Sequence, residues 1–375
     1  MSDPRIKVMI VDDSAVIRGM VKRMVEGEKD IEIVSSASNG EQAINKLKQV
    51  PVDVIILDIE MPVMDGLTAL PKLLEVDSGV RILMSSTLTL ANAEISIQAL
   101  ELGATDYIPK PTSVGAMGGA SDFRSELVNK VRIIGRARLA KQSLRAPSRP
   151  AAGRSTTPIT DAPARKSLLS VDFTLRPVTS KVRPEIIAIG SSTGGPKALF
   201  EVLKNIRADV TVPIIITQHM PANFTAILAK HIEDACGRPC AEGKDGEVLM
   251  ANKIYVAPGG YHMVVEGNSL QKVLRINDDP QENFCRPAVD PMFRSVAKVY
   301  GNRALAVILT GMGSDGTKGG KVIVDAGGTV VAQDEKTSVV WGMPGAAAAA
   351  GICSAVVPLE QVSKYISDFL LKGAA

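Results

Sequence analysis

Short apolar runs that alternate with amphipathic stretches are the feature that most limits what this chain can fold into. Five of these runs precede residue 111: IKVMIV, EIVSSA, VDVIILD, VRILMSS and DYIPK. Six more follow residue 183: EIIAIG, VPIIIT, KIYVAP, RALAVILT, GTVVAQ and SAVVP. Helix-like segments such as residues 15–25 and 41–48 lie between them. This alternation predicts parallel sheets covered by helices, a doubly wound α/β fold.

One segment breaks the alternation. The stretch YHMVVEGNSLQKVLRI reads as two strands joined by a turn, and the turn is predicted at Glu266-Gly267-Asn268. The second block of runs is therefore expected to form a mostly parallel sheet with one antiparallel hairpin.

The charge distribution separates the two blocks. Residues 136–183 carry 11 basic and 2 acidic side chains, whereas residues 1–135 carry 14 basic and 19 acidic ones. The basic segment is also rich in proline and has little periodicity, so it is interpreted as a flexible linker. The predicted boundaries are 1–138, 139–183 and 184–375. The linker could alternatively serve as a basic anchor for an acidic partner.

Composition excludes several classes of protein. Only 3% of the residues are aromatic, which argues against stacking on bases, and the basic charge lies in the linker rather than on a domain face, so no nucleic-acid partner is expected. The chain shows neither an apolar stretch long enough to span a membrane nor a signal peptide. A cytoplasmic protein without membrane insertion is expected. Its four cysteines lack metal-site spacing and are expected to be free thiols.

Carboxylates follow two strands of the first block. Asp12 and Asp13 follow VMIV, and Asp58 follows VIIL. The carboxyl ends of parallel strands open onto one crevice, where three carboxylates would suit Mg²⁺. Ser85 and Lys110 end two further strands and would place a hydroxyl and an ammonium group there, as a phosphoryl group requires. Any one of these acids could instead be a helix cap or a loop carboxylate.

At this point residues 5–135 resemble a bacterial response-regulator receiver domain, with VDDS, LDIEMPVMDG, MSS and PKP in order. The resemblance implies a flavodoxin-like fold and Mg²⁺ held by Asp13 and Asp58, with Asp12 nearby. It also implies phosphorylation of Asp58 by a histidine kinase and phosphate sensing by Lys110. The hydroxyl switch is assigned to Ser85, which directly ends a strand; Thr87 is the alternative.

The second block begins with a glycine-rich turn. GSSTG, residues 190–194, matches G-x-S-x-G with Ser192 at its centre. The glycines permit a sharp turn from strand to helix, which would expose a serine where free backbone N–H groups favour negative charge. A phosphate-binding loop is the rival interpretation, but neither common glycine-rich phosphate motif is present.

Two further strand ends carry partners for this serine. His219 follows VPIIIT, and Asp315 follows ALAVILTGMGS. A serine nucleophile, a histidine base and an acid that orients the imidazole form a hydrolytic triad. The order Ser192, His219, Asp315 differs from the serine–acid–histidine order of the α/β-hydrolases.

Residues 184–371 resemble the catalytic domain of the chemotaxis protein-glutamate methylesterases, through IGSSTGGP, TQHMP, YVAPGGYH, RPAVDPMF and LTGMGSDG. A departure is Ala288, where serine is usual. The resemblance implies hydrolysis of glutamate γ-methyl esters on the cytoplasmic helices of chemoreceptors, often with deamidation of glutamines. It makes Ser192 the nucleophile, His219 the general base and Asp315 its orienting acid.

Backbone N–H groups around Thr193 and Met312 are expected to stabilise the oxyanion, and no metal is expected in ester hydrolysis. The receiver domain is expected to cover the site until Asp58 is phosphorylated. Two other functions stay open: a serine hydrolase with a non-receptor substrate, and a phosphorylation-dependent binding module without catalysis.

Overall fold

The computed structural model describes residues 4–87, 89–110, 119–145, 173–178, 182–268 and 270–372. The first block of apolar runs forms a five-stranded parallel sheet in the order β2-β1-β3-β4-β5. Strands β1, β3, β4 and β5 are largely buried because helices cover both faces, whereas the edge strand β2 is buried only at Ile31 and Ala37. The elements are β1 (Ile6–Val11), α1 (Ala15–Val25), β2 (Ile31–Ala37), α2 (Gly40–Leu47), β3 (Val54–Asp58), α3 (Gly66–Val76), β4 (Arg81–Ser86), α4 (Leu90–Glu101), β5 (Asp106–Pro109) and α5 (Gly119–Arg145).

The second block forms a seven-stranded parallel sheet in the order β14-β13-β12-β6-β7-β9-β8. Its elements are β6 (Ile186–Ser191), α6 (Gly195–Lys204), β7 (Ile214–Gln218), α7 (Phe224–Cys236), β8 (Cys240–Glu242), β9 (Ile254–Val256), β10 (His262–Gly267), β11 (Lys272–Asn277), α8 (Val289–Tyr300), β12 (Ala304–Ile308), α9 (Thr317–Asp325), β13 (Thr329–Gln333), α10 (Met343–Ala349), β14 (Ala355–Val357) and α11 (Leu359–Lys372). The predicted α/β class with parallel sheets is confirmed.

The hairpin is also present, as the antiparallel pair β10–β11 outside the large sheet. The predicted turn at Glu266-Gly267-Asn268 lies too early in the sequence. Glu266 and Gly267 still pair with the opposite strand, and the N–H of Asn268 donates to the carbonyl of Gln271, so the turn follows Gly267. Strand β8 was not predicted, because its sequence CAE lacks the apolar run that indicated the equally short strands β9 and β14.

The predicted linker begins inside a helix. Helix α5 continues to Arg145, beyond the proposed boundary at residue 139, and Leu139 packs against the core of the first domain. Of the remaining linker, residues 146–172 and 179–181 lie outside the described residues. In the described part of the chain, no helix is both long and apolar enough to cross a membrane.

The two domains are in contact. Helix α4 of the first domain packs against α6 and α7 of the second. The ring of Tyr107, on β5, stacks on the ring of Phe224 at the start of α7, with centroids 4.5 Å apart and planes 11° apart. Both rings are buried, so the first domain lies against the end of the second sheet from which α7 starts.

Candidate active site

The three predicted triad residues follow adjacent strands. Ser192 follows β6 and His219 follows β7, while Asp315 lies in the loop after β12. In the sheet β6 lies between β12 and β7. The chain leaves β6 towards β7 on one side and later returns to β12 on the other, which makes this edge a topological switch point. Such a crevice is where parallel α/β sheets bind ligands.

The loop that carries Ser192 is tightly enclosed. Gly194 has a φ of 76°, a conformation that glycine adopts without strain. A Cβ atom at Gly311 would lie 2.9 Å from the Cβ of Ser192, so only glycine allows the two loops to approach this closely. Within the described residues, the backbone N–H groups of Thr193 and Met312 donate to no other group. They are therefore free to bind a negatively charged oxygen.

Asp315 is held as an oriented carboxylate. Its Oδ2 accepts from the Nε2 of His219 at 2.8 Å and from the backbone N–H of Val289 at 2.6 Å. Its Oδ1 accepts from the N–H groups of Asp290 and Gly316, each at 2.9 Å. Val289 and Asp290 open helix α8, so the carboxylate also lies at a helix N-terminus, where negative charge is favoured.

These contacts shift the pKa values of the pair. Burial opposes ionisation of Asp315, but the bonds from His219 and from the N–H groups hold the pKa of Asp315 below its usual value. Burial likewise lowers the pKa of His219, and its contacts with Asp315 and Cys285 outweigh that effect and raise it to about 9. The imidazole therefore carries its proton at neutral pH in this arrangement of the domains.

Because Asp315 occupies Nε2, the imidazole nitrogen left for another partner is Nδ1. In this structure the Sγ of Cys285 lies 3.3 Å from Nδ1. The Oγ of Ser192 makes no hydrogen bond to any described residue. The Ser192 hydroxyl and the His219 imidazole are thus not hydrogen-bonded while the first domain is docked.

Three more side chains support the triad, and the sequence analysis did not assign them. Asn283 donates to Asp315 Oδ1 at 2.9 Å and to Asp290 Oδ2 at 3.1 Å. Gln218 donates to the carbonyl oxygens of Ser192 and His219 and thereby ties the two strand ends together. Asp290 lies in the RPAVDPMF stretch and Gln218 in the TQHMP stretch, both of which carry the family resemblance, whereas Asn283 lies outside the matching stretches.

Ala288 is the N-cap residue of α8 and makes no side-chain cap. The first two N–H groups of the helix instead donate to Asp315, and the third residue is Pro291, which has no N–H. A serine at this position would find no free N–H group to cap, so alanine costs the helix little.

The first domain contains the predicted acidic cluster. Carboxylate oxygens of Asp12, Asp13 and Asp58 all lie within 4.8 Å of one another. The Nζ of Lys110 lies 2.8 Å from Asp12 and 2.7 Å from Asp58. This donor set fits Mg²⁺, since it consists of carboxylates and Asp13 is exposed on the open side. Burial raises the pKa of Asp58 to about 6 even though Lys110 opposes the shift.

Three hydroxyl groups end β4 beside this cluster. Ser85 pairs with Asp58 in the β3–β4 register, and its side chain makes no hydrogen bond to a described residue. Ser86 Oγ lies 3.0 Å from Ser96 Oγ on α4, and Thr87 accepts from Asn92 of the same helix. The end of β4 is therefore linked to α4, the helix that packs on the second domain.

The first domain also contacts the Ser192 loop directly. The hydroxyl of Thr193 donates to Asp106 Oδ2 at 2.8 Å, and both groups are buried. Lys130 of α5 pairs with the same carboxylate at 2.7 Å. At the edge of the contact, the Nδ1 of His231 lies 2.9 Å from the Glu101 carboxylate.

Comparisons with known proteins agree with both halves. Residues 8–119 match the response regulator receiver domain, and residues 187–366 match the CheB methylesterase domain. The chain is thus a receiver domain joined to a methylesterase-type domain. A protein-glutamate methylesterase/protein-glutamine glutaminase of Paramagnetospirillum magneticum is 56% identical over 96% of this chain and 95% of its own. One from Rhodospirillum rubrum is 53% identical over 96% of this chain and 94% of its own.

Among solved structures, the catalytic domain of the Thermotoga maritima CheB methylesterase is 36% identical. It matches with a TM-score of 0.49 and covers 50% of this chain and 100% of that one. Because the Paramagnetospirillum and Rhodospirillum relatives are more than 50% identical over nearly the full length, the chain belongs to the family of the protein-glutamate methylesterase/protein-glutamine glutaminases. Both family resemblances drawn from the sequence are confirmed.

Proposed function

We propose that this chain hydrolyses glutamate γ-methyl esters on the cytoplasmic helices of chemoreceptors, and deamidates glutamines there, under control of its receiver domain. The observation that carries the catalytic half is the placement of Ser192, His219 and Asp315 at three neighbouring strand ends, with a 2.8 Å bond between the last two. The names of the full-length relatives support the substrate class.

In the first chemical step, Ser192 Oγ attacks the ester carbonyl carbon and passes its proton to Nδ1 of His219. Asp315 stabilises the imidazolium through Nε2. The imidazolium then protonates the departing methoxide, methanol leaves, and a glutamyl ester remains on Ser192. Water attacks this ester, again giving its proton to Nδ1, and the serine is restored when the proton returns to Oγ. With glutamine as the substrate, ammonia leaves in place of methanol.

The oxyanion formed in each step would be held by the backbone N–H groups of Thr193 and Met312. Both N–H groups are free within the described residues. They belong to two loops that lie close together because Gly311 has no side chain. Loss of one such donor typically lowers the rate about 10²–10³-fold.

In the receiver domain, Asp12, Asp13 and Asp58 would hold Mg²⁺. Bound there, the ion would offset the negative charge of the incoming phosphoryl group. Asp58 would accept that group from a histidine kinase, and Lys110, now paired with Asp58, would be left to pair with the phosphoryl oxygens. Ser85, opposite Asp58 on the neighbouring strand, would supply the hydroxyl switch.

Gating of the site would follow from the domain contact. The receiver domain lies against Thr193 and Phe224, and a protein helix needs that space to bring a glutamate side chain to Ser192. Phosphorylation that changes the end of β4 would reach α4 through Ser86 and Thr87 and weaken its packing on the second domain. Each tenfold increase in activity requires only about 1.4 kcal/mol of relative stability between closed and open forms.

The test is methanol release from a methyl-esterified receptor fragment, with and without Mg²⁺ and a small phosphodonor. Wild type should be stimulated by the phosphodonor, Asp58→Ala should keep its basal rate without stimulation, and Ser192→Ala should be inactive. Release that persists without Ser192 would refute the nucleophile, and a pure binding module would lose nothing in that variant. Cleavage of small methyl esters with none from the receptor would favour a different substrate.

A further inference from the structure

A two-residue turn beside the triad holds an aromatic side chain in solvent. Glu282 and Cys285 exchange both backbone hydrogen bonds, at 3.2 and 2.9 Å, and the corner residues Asn283 and Phe284 have φ values of 52° and 62°. This is the geometry of a type I′ turn, in which both corner residues are left-handed. Asparagine is common at the first corner, but glycine is the residue that suits the second.

The turn is locked against the catalytic groups on each side of Phe284. Before it, Asn283 donates to Asp315 and Asp290. After it, Cys285 contacts His219 Nδ1. Glu282 forms an ion pair with Arg294 of α8. The position of Phe284 relative to the triad is thus determined by contacts on both flanks, which is how a strained conformation persists in a folded protein.

The side chain of Phe284 does not help to hold the turn, because it is 97% exposed even with the receiver domain docked. Two other exposed apolar side chains lie on loops next to the site. Tyr261 follows Gly260, whose N–H donates to the carbonyl of Arg286, and Met312 follows Gly311, which touches Ser192. A strained backbone that presents a bare aromatic ring next to a reactive site is typical of a ligand-anchoring residue.

We propose that Phe284 is a specificity-determining residue that packs against an apolar side chain of the substrate helix, next to the glutamate being hydrolysed. The inference rests on the proposed function. A glutamate side chain that reaches Ser192 brings its own helix over the rim of the site, where the turn already fixes the backbone of Phe284. A small ester brings no such helix and has nothing to pack on the ring.

The experiment compares Phe284→Ala and Phe284→Gly with wild type, measuring kcat and KM on a methylated receptor fragment and on a small glutamate γ-methyl ester, each with phosphodonor and Mg²⁺. Phe284→Gly also relieves the left-handed strain, so it separates loss of the ring from damage to the turn. The matched control is Leu270→Ala, since Leu270 is 94% exposed on the β10–β11 hairpin.

Both Phe284 variants should lower kcat/KM for the receptor fragment about tenfold or more, mainly through KM, because burial of an aromatic ring is lost. Their rate on the small ester and the activity of Leu270→Ala should stay within about twofold of wild type. If kcat and KM on the receptor fragment are unchanged in both Phe284 variants, this inference is overturned while the proposed function stands. An equal loss on both substrates would also overturn it, because the turn would then be purely structural. Wild type that is inactive on the receptor would overturn both this inference and the proposed function.

Discussion

Replacement of Tyr107 by leucine should release part of the proposed inhibition by the receiver domain. Tyr107 belongs to the receiver domain and is not one of the proposed catalytic residues, yet its ring stacks on Phe224 at the start of α7. Leucine keeps most of the apolar volume that the receiver core requires. The substitution therefore removes the ring–ring contact across the domain boundary while disturbing the core of the receiver domain little.

The expected size follows from the geometry. Centroids 4.5 Å apart with planes 11° apart form a close stacked pair, worth about 0.5–1.5 kcal/mol beyond the buried area. If the closed form dominates without phosphorylation, this loss raises the open fraction about 2- to 13-fold. The rate without phosphodonor should rise by the same factor, whereas the rate of the fully phosphorylated enzyme should not change.

The assay is methanol release from the methylated receptor fragment at a fixed enzyme concentration. A double-mutant cycle with Phe224→Leu is the control: once one ring is gone, removal of the other should add little. The reasoning is refuted if Tyr107→Leu leaves the basal rate unchanged. It is equally refuted if the variant raises the phosphorylated and unphosphorylated rates by the same factor, since the contact would then not act through domain docking.

Three further results are expected. Asn283→Ala should lower the free energy of unfolding in urea by about 1.5–3 kcal/mol, because two buried carboxylates lose a donor; an unchanged midpoint would contradict this. The kcat/KM of the unphosphorylated enzyme should rise with pH towards about 9, because His219 must lose its proton to act as a base, and Cys285→Ala should move that rise to lower pH. The pKa of His219 is raised from its usual 6.5 to about 9. A kcat/KM that stays constant over roughly pH 6–9 would therefore argue against His219 as the base. Chelation of divalent cations should abolish phosphodonor stimulation and leave the basal rate intact, and Asp13→Asn should reproduce this without a chelator.

Much of the fold could be predicted from local pattern. A buried parallel strand needs a short apolar run, and a turn from strand to helix needs glycine or a capping residue, so eleven runs and their flanking residues indicated two parallel sheets. The acidic cluster and the three strand-end residues of the second domain followed from the same pattern. Parallel strands carry their carboxyl ends to a common edge, so residues far apart in sequence could be expected to meet.

Other features depend on contacts that no local period encodes. Asn283 reaches Asp315 across 32 positions, and Thr193 reaches Asp106 across 87. Strand β8 escaped prediction because its sequence CAE contains no apolar run. The true turn of the hairpin escaped prediction because a glycine can end a strand as well as begin a turn.

The amino-acid sequence by itself determined the two-sheet architecture and indicated the acidic cluster and the candidate triad Ser192, His219 and Asp315, because each depends on residue type at the end of an apolar run. Only the tertiary structure decided which nitrogen of His219 faces Asp315, that Cys285 lies at the other nitrogen, and that Phe284 stands exposed beside them. Those facts depend on how loops from different strands pack together, and side-chain packing is set by all neighbours at once rather than by any one segment.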